Sequence, residues 1–225
     1  MILEKIRRSD WWAKAAAYHD RHYEVSDGIM LTDHLNAVAG CIEKIFESNT
    51  PFTTALLALL DKLGLDRQQV KHELEIVALL HDIGKTEDDK KLQAEHPLNK
   101  KLVPKRHPIV GMLAAIELLG DEVSLSESDK LRIYHLVEEH DSPYALYRQF
   151  ETTGSIPKFK SWQKLNHKID ERDGVGLLYL LIFKLADIDG HEKVDDVIWF
   201  FRKSRSNYYK ELNLELPVPE ESDIR

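Results

Sequence analysis

Residues 73–85 have the sequence ELEIVALLHDIGK, and this stretch decides the fold. Leu74, Val77 and His81 recur at the three- and four-residue spacing that lines one face of a helix. The run before His81 is apolar, and Gly84 suits the end of a helix. A histidine and an aspartate at the end of a buried helix need a partner, because burial of an unpaired carboxylate or imidazolium is costly. The stretch therefore predicts a core helix that ends in a polar site.

Two more histidines lie on the apolar faces of predicted helices. His34 follows Leu31 at three-residue spacing, and His140 follows Ile133 at seven-residue spacing. A single histidine on an apolar face is more often a satisfied core residue than a ligand. Three such histidines, together with Asp82, favour a common explanation. A divalent metal ion provides one, because imidazole and carboxylate groups both coordinate it.

Two further polar residues stand at predicted helix ends. His107 precedes Pro108, and proline at the first helical position predicts that His107 lies at a helix N-terminus. Asp187 ends the apolar run 177–187, where an unpaired carboxylate would be costly. Both residues are therefore candidates for the same polar site.

Helical periodicity dominates the rest of the chain, and convincing alternating strands are absent. The predicted class is all-α, with one compact helical domain over residues 1–225. Further helices are predicted at about 52–63, 108–119, 174–187 and 193–212. Pro143 predicts a helix stop and residues 151–160 predict a loop, and the length and the Pro and Gly content of the segment 141–165 are compatible with a lid. The acidic tail after residue 210 is expected to be extended or frayed.

Composition limits the class of protein and its location. The chain has 225 residues, of which 43% are hydrophobic and 31% charged, and this excludes collagen-like and disordered classes. Its single cysteine, Cys41, excludes an intramolecular disulfide and favours a reducing compartment, so we expect a cytoplasmic location. We expect no signal peptide, and no segment approaches the roughly 18 to 20 apolar residues of a membrane span.

The net charge of −8 argues against a protein whose whole surface binds nucleic acid. Positive charge is nevertheless concentrated in three stretches. Residues 90–106 hold six Lys/Arg against one acid, and residues 158–168 and 200–210 each hold four and no acid. A solvated surface is the plainer interpretation of each stretch. The first one leads into His107, so we expect it to form a basic rim that attracts anionic substrates.

The order of the polar residues resembles the HD-domain superfamily of metal-dependent phosphohydrolases. The motifs that carry the resemblance are His34, the HDIGK string at 81–85, His107-Pro108, His140 and Ala186-Asp187. They span about residues 30–190, which is most of the chain. The resemblance implies a compact helical bundle of the HD type with a binuclear metal site.

The resemblance also implies a role for each matching residue. The four-ligand core of the family is matched by His34, His81, Asp82 and Asp187. Asp82 takes the place of the carboxylate that bridges two ions, and His107 and His140 match the two additional histidines of binuclear members. The implied cofactors are two divalent ions drawn from Mn, Fe, Co, Ni or Zn.

The implied activity is that of a phosphohydrolase or phosphodiesterase that uses a metal-bound hydroxide, with a nucleotide as the favoured small phosphorylated substrate. Lys85 matches the lysine that meets the substrate phosphate in similar HD enzymes, although a helix-terminal cation is its plainer interpretation. Asp82 and Lys85 are thus the predicted catalytic residues. No membrane association is expected, and the sequence makes no prediction about the oligomeric state.

Three alternatives remain open. CRISPR-associated HD nucleases resemble this ligand order, and the basic segment around Tyr208 and Tyr209 would then bind single-stranded DNA or RNA, although a packing helix is favoured there. A di-iron HD oxygenase would use the same ligands, with Tyr18, Tyr23 and Glu24 closing over the site. A nucleotide-binding module without catalysis is disfavoured because all six candidate ligands are present.

Three other residues compete with or supplement the candidate ligands. His135 competes with His140 but points roughly opposite to the apolar face of its helix. Asp189 and His191 compete with or supplement Asp187, and the Ala-Asp context favours Asp187.

Several residues are predicted to have no chemical role. The histidines of charged or polar segments are expected at the surface: His19, His22, His72, His96 and His167. The tryptophans are expected to be packing anchors: Trp11, Trp12, Trp162 and Trp199. A nucleophilic role is not expected for Cys41.

Overall fold

Helices make up most of the protein in the computed structural model, which describes residues 2–21, 25–188 and 194–224. In chain order the helices are α1 (Ile2–Arg7), α2 (Asp10–Ala16), α3 (Leu31–Glu47), α4 (Pro51–Lys62), α5 (Arg67–Leu80), α6 (His107–Leu119), α7 (Glu127–Glu139), α8 (Ser142–Thr153), α9 (Phe159–Ile169), α10 (Val175–Ala186) and α11 (Val194–Ser204). Two short strands, β1 (Asp89–Glu95) and β2 (Leu102–Lys105), pair in antiparallel orientation. The all-α prediction is therefore confirmed, since the strands add only one hairpin to the helices.

Helix α10 lies at the centre of the bundle because its sequence, VGLLYLLIFKLA, is apolar on nearly every side. Residues 175–184 are all buried. Helices α3, α5, α7 and α9 pack against it, and α3 and α5 also pack against each other. Neither α10 nor any other helix of the described residues is long and apolar enough to cross a membrane.

The predicted helices are present with small shifts at their ends. Those predicted at 52–63, 108–119 and 174–187 are α4, α6 and α10. The helix predicted at 193–212 is shorter, because α11 gives way to a wider π-type turn at Arg205–Tyr209. Helices α1 and α2 were not predicted, since short helices carry too few apolar repeats to recognise.

The segment 141–165 is helical over most of its length, where loops were expected. It folds into α8 and the start of α9, and the connecting loop is confined to residues 154–158. Helix α7 ends at Glu139, shortly before Pro143, as the predicted stop requires, and Pro143 itself lies in the first turn of α8, where proline is well tolerated. The predicted absence of strands is wrong, since the basic stretch contains β1 and β2. Most of the hairpin is exposed, so its sequence lacks the alternation of a half-buried strand.

The packing role favoured for the segment around Tyr208 and Tyr209 is confirmed, and the alternative of a stacking strip there is excluded. Both side chains are fully buried. The Tyr209 hydroxyl donates to the carbonyl oxygen of Gly174 at 2.7 Å, and the Gly174 N–H donates to the Tyr208 hydroxyl at 3.2 Å. These tyrosines therefore hold the start of α10 and offer no surface to a nucleobase. Leu216 in the tail is buried too, so this part of the tail packs on the core and is not frayed.

Arg132 is a buried arginine that contacts residues from several elements of the fold. Arg132 of α7 donates to Glu73 of α5 at 2.6 Å and to Asp170, which follows α9, at 2.8 Å. Its guanidinium lies 5.2 Å from the centre of the Tyr179 ring of α10. Burial alone would raise the pKa of Asp170, but hydrogen bonds from Arg172 and Arg132 outweigh it and lower this pKa to about 2. Asp170 is therefore charged in the folded protein at neutral pH.

We expect Asp170→Asn to lower the free energy of unfolding by on the order of 2 kcal/mol at neutral pH. A carboxyl whose pKa is lowered by folding stabilises the protein above its unfolded pKa of about 4, and this stabilisation is lost as the pH falls toward about 2. The difference between wild type and variant should therefore shrink over that window. Urea unfolding of both proteins, followed by circular dichroism at several pH values, measures it. A difference that stays constant down to about pH 2.5 would contradict the assignment, and exposed Asp121→Asn serves as the control.

Candidate metal centre

Six polar residues from five helix ends meet in one region of the bundle. Two of them lie in the first turns of α3 and α6. Three directly follow the last residues of α5, α7 and α10, and the sixth is the residue after the histidine that follows α5. In chain order they are His34, His81, Asp82, His107, His140 and Asp187. The structure thus brings together all six residues that the sequence analysis proposed as ligands, while metal binding by them stays a prediction.

The six residues form two groups of three. The first group consists of His34, His81 and Asp187, and the second of Asp82, His107 and His140. Within each group the donor atoms lie within 4.8 Å of one another. His107 is half-buried and the others are buried. Each group has the size of a three-residue metal site that leaves coordination positions for water or substrate.

Asp82 lies between the two groups and turns one carboxylate oxygen toward each. Its Oδ2 is 3.4 Å from Nε2 of His81 and 3.6 Å from Nε2 of His34. Its Oδ1 is 3.3 Å from Nε2 of His107 and 3.5 Å from Nε2 of His140. This is the placement that a carboxylate shared by two cations requires.

Backbone contacts determine which nitrogen His81 and His140 present to the site. Nδ1 of His81 is 2.9 Å from the carbonyl oxygen of Ala78, and Nδ1 of His140 is 2.7 Å from that of Val137. A carbonyl oxygen only accepts hydrogen bonds, so Nδ1 carries the proton in both rings. In the neutral rings the lone pair is therefore on Nε2, which faces the other donors of the site.

The donor set fits a pair of divalent cations. Nε2 of His34 lies 3.2 Å from Nε2 of His81, and Nε2 of His107 lies 3.3 Å from Nε2 of His140. Two neutral rings that turned lone pairs toward each other at this distance would repel, and a cation bound within each group would remove this repulsion. Oδ1 of Asp82 is buried and makes no hydrogen bond within the described residues, so it too is available to a cation. Nitrogen and carboxylate donors in this mixture suit transition metals such as Mn, Fe, Co, Ni and Zn.

A close approach between the backbone at Gly84 and the backbone of α6 places His107 beside the end of α5. After Asp82 the chain makes a tight turn at Ile83–Glu87, and α6 packs directly against it. A Cβ atom added at Gly84 would lie 2.2 Å from the carbonyl oxygen of His107 and 2.6 Å from the backbone nitrogen of Gly111. Only a residue without a side chain fits this contact. Gly84 therefore sets the distance between the HD pair and the second half of the site.

Comparison with known proteins supports this arrangement. The family model for the HD domain of Cas3 matches residues 12–144. The chain belongs to the Cas3 HD domain family. Cas3 HD domains are metal-dependent domains of the phosphohydrolase and nuclease type. The matched segment contains five of the six candidate ligands, and Asp187 lies beyond it. Neither the curated proteins nor the solved structures searched contain a match to the chain.

The two facing histidines of the first group in this Cas3 HD site differ in pKa. Burial alone would lower the pKa of His81, but the charges of Asp82 and Asp187 outweigh it and raise the pKa to about 10. Burial and the neighbouring charge of His81 lower the pKa of His34. Without a metal the two facing rings therefore share one proton. The carboxylates that hold this proton would equally stabilise a cation in its place.

Lys85 of this Cas3 HD domain lies beside the shared carboxylate. Its Nζ is 2.5 Å from Oδ2 of Asp82 and 3.7 Å from Oδ1 of the buried Asp20. Its side chain is 12% exposed, and the Nζ atom itself is buried beside the site. Burial opposes its charge, but Asp82 outweighs this and raises its pKa. Lys85 is thus a charged group next to the candidate ligands, and contact with a phosphate remains a prediction.

Two residues of the site were missed from the sequence. The buried Lys184 donates to Oδ2 of Asp187 at 3.0 Å and leaves Oδ1 of Asp187 facing His81 at 3.3 Å. Asp141, half-exposed, places Oδ2 at 3.2 Å from Nε2 of His107. The signal for Asp141 was its position directly after His140, which makes a second His-Asp pair. Lys184 gave no signal, since a lysine in an apolar helix is not assigned to a partner by spacing alone.

The structure also places the residues that competed for a role. His135 is outside both groups and contacts Oε2 of Glu138 at 3.1 Å. Tyr18 packs against the core. Five other residues named in the sequence analysis as possible participants or surface positions lie outside the described residues. These are His22, Tyr23 and Glu24 in one gap and Asp189 and His191 in the other, where no placement is given.

The remaining surface and packing predictions hold with one exception. Trp162 and Trp199 are buried, and Trp11 and Trp12 pack against the core, as expected of anchors. His167 is exposed, and His19 and His72 are half-buried. His96 is buried, with 3% of its surface exposed, so its assignment to the surface is wrong. It forms a hydrogen bond with Glu138, which is 42 residues away in sequence. A contact between residues so far apart cannot be recognised from the sequence pattern around His96.

Proposed function

We propose that this member of the Cas3 HD family hydrolyses phosphodiester bonds in single-stranded nucleic acid with the help of two divalent cations. The observation that carries the proposal is Asp82, which turns its two oxygens toward two separate three-residue groups. A pair of cations sharing one carboxylate is an arrangement suited to phosphoryl transfer. The family match supports nucleic acid over the small nucleotide that the sequence favoured. A nucleotide remains the second candidate substrate, since the net charge of −8 is unusual for a nucleic-acid-binding protein.

The chain contributes positioned donors to this chemistry. The first cation would be held by His34, His81 and Asp187, and the second by His107 and His140, with Asp82 shared between them. Cations bound there lower the pKa of a water molecule and neutralise charge on the phosphoryl oxygens. The backbone carbonyls that accept from Nδ1 of the α5 and α7 histidines hold the rings in the required orientation.

Lys85 is proposed to orient the substrate phosphate. An ammonium group has three donors, and Asp82 and Asp20 occupy two directions around Lys85, so one remains for a phosphoryl oxygen. Asp20 would hold the ammonium at the site when Asp82 is engaged by cations. The role is electrostatic, because an ammonium acts as a point charge and its raised pKa keeps it protonated.

The test is a hydrolysis panel on the full chain. Metal-free protein is reloaded separately with Mn, Fe(II), Co, Ni or Zn. Each preparation is offered single-stranded DNA, single-stranded RNA, duplex DNA, nucleoside mono-, di- and triphosphates, cyclic nucleotides and the small diester bis(p-nitrophenyl) phosphate. We expect metal-dependent cleavage of single strands and of the small diester. Turnover of nucleotides alone would favour the second candidate, and metal-dependent oxygen uptake without hydrolysis would overturn the proposal.

Lys85→Met is assayed beside the wild type in the same panel. We expect turnover of every substrate to fall by about 10- to 100-fold, because one positioned charge on the phosphate is lost. Metal content should stay at the wild-type value, since Lys85 is not among the six donors. An unchanged turnover number would show that Lys85 is only a structural cation.

A further inference from the structure

The β1–β2 hairpin is attached at both ends and at its turn to segments that carry candidate ligands. β1 starts at Asp89, shortly after Lys85, and β2 ends at Lys105, two residues before His107. The turn between the strands contacts Glu138 through His96, and Glu138 is two residues before His140. The hairpin therefore connects the segment after Asp82 and the start of α6 with the end of α7.

His96 is the residue that holds the turn. Nδ1 of His96 accepts hydrogen bonds from the backbone N–H groups of Leu98 and Asn99 at 3.2 and 3.3 Å. Because backbone N–H groups only donate, Nδ1 is unprotonated and the proton is on Nε2. Nε2 then donates to Oε1 of Glu138 at 3.0 Å. One buried imidazole thus shapes the turn and anchors it to α7.

Glu138 is itself held from two further directions. Lys168 of α9 lies 2.6 Å from its Oε1, and His135 lies 3.1 Å from its Oε2. A carboxylate that is 10% exposed and has three partners cannot turn away to follow a mobile hairpin. A two-stranded hairpin alone is marginally stable in water, so this anchor is what gives it a fixed position.

The exposed surface of the hairpin is positively charged. Lys90, Lys91, Lys101 and Arg106 are exposed, and none forms an ion pair with another residue of the described ranges. Lys100 and Lys105, by contrast, lie near Glu95 and Glu87. Seven residues of β1, at about 3.3 Å each, extend over roughly 20 Å. A surface of this length contacts several phosphates of a strand at once.

We infer that the hairpin is a binding wall for a nucleic-acid strand that continues past the metal centre, and that His96 and Glu138 are the positioning residues that hold this wall. The inference rests on the proposed function, because it concerns how the same site selects long substrates. A strand with several phosphates gains contacts to the free lysines, whereas a mononucleotide or a small diester reaches only the centre. The hairpin is thus the element that makes the site prefer long nucleic-acid strands over mononucleotides and small diesters.

The first test measures binding without turnover. A fluorescently labelled 20-nucleotide single strand is titrated with the full chain in EDTA, and its anisotropy is followed at several salt concentrations. The triple variant Lys90→Gln, Lys91→Gln and Lys101→Gln should bind at least tenfold more weakly. The slope of log affinity against log salt should fall by about 2, at about 0.7 for each phosphate contact on a single strand.

A matched control removes the same charge elsewhere. Lys158→Gln, Lys160→Gln and Lys164→Gln change three exposed lysines of another basic stretch, at the start and on the surface of α9. This control should keep the wild-type affinity and salt slope. An equal loss in both triple variants would mean that total charge decides the binding, and it would overturn the inference. Wild-type affinity in the hairpin variant would overturn it as well.

The second test addresses His96. His96→Phe keeps a ring of similar size but removes both hydrogen-bond functions, so the turn is released from α7. We expect KM for cleavage of the 20-nucleotide strand to rise about tenfold while kcat stays within twofold. A fall in kcat on both the strand and bis(p-nitrophenyl) phosphate would place the effect in the metal centre and overturn the positioning role. Thermal unfolding of each variant checks that the fold is retained.

These outcomes separate the inference from the proposed function. Binding in EDTA needs no catalysis, so strand binding that depends on the hairpin lysines supports the inference even in a protein that cleaves nothing. Cleavage of single strands with no effect of either hairpin variant supports the proposed function and overturns the inference. A wild type that does not bind the labelled strand at low salt overturns the inference directly.

Discussion

Asp82→Ala should reduce metal-dependent hydrolysis by on the order of 10³-fold or more and lower the bound metal from two ions per chain to at most one. The reason is geometric. Asp82 is the residue whose two oxygens face both groups, at 3.4 Å from His81 and 3.3 Å from His107. Its loss removes the negative charge that allows two cations to lie close together. Initial rates on bis(p-nitrophenyl) phosphate and metal analysis after gel filtration measure the two effects.

The Asp82 prediction separates a catalytic loss from unfolding. Helices α5 and α6 pack through apolar residues, so the far-ultraviolet circular dichroism spectrum of Asp82→Ala should match the wild type. Asp121→Ala, an exposed acid after α6, is the matched control and should retain full activity and two ions. Full turnover by Asp82→Ala, or two retained ions, would end the two-cation mechanism.

Gly84→Ala should destabilise the protein by about 3 kcal/mol and impair the second half of the site. A Cβ at this position would lie 2.2 Å from the carbonyl oxygen of His107. Backbone atoms cannot rotate away, so α6 must shift and carry His107 with it. A displacement of this kind costs metal affinity as well as stability, because a ligand misplaced by about 1 Å no longer meets the cation. Urea unfolding and metal titration measure the two losses.

Gly40→Ala is the control for that substitution. Gly40 lies inside α3, and a Cβ there would meet nothing within 4 Å. Replacement of a helical glycine by alanine normally stabilises a protein by about 0.5 to 1 kcal/mol. Opposite signs for the two glycine variants are therefore expected. If Gly84→Ala had the stability and metal content of the wild type, the close approach would not constrain the site.

Much of the site was predictable because its residues lie at places that local pattern identifies. The helical spacing of apolar residues ends at His81 and at His140, and Pro108 indicates that a helix starts at His107. Each of these positions was predicted from fewer than about 15 neighbouring residues. The structure confirms the helices and brings the predicted residues together at their ends.

The wrong surface assignment of His96 has its cause in distant partners. The His96 side chain is buried only because Glu138 and the turn enclose it, and nothing in the polar stretch around it indicates burial. At Tyr208 and Tyr209 the sequence favoured packing but left a surface strip open, and contacts with Gly174 place both side chains in the core. Helix α8 was missed because Pro143 indicates either a stop or a first turn, and the sequence does not distinguish them.

The amino-acid pattern was thus sufficient for the helical class, for the order of the candidate ligands and for the helix ends that carry them, since each depends on residues within a few turns of one another. Only the tertiary structure shows that the candidate ligands form two groups with Asp82 between them. It also shows the hydrogen bond from Lys184 to Asp187 and the contact through which His96 anchors the basic hairpin. These features join residues that are far apart in sequence or depend on side-chain direction. Packing around α10 decides them, because it sets which helix ends meet.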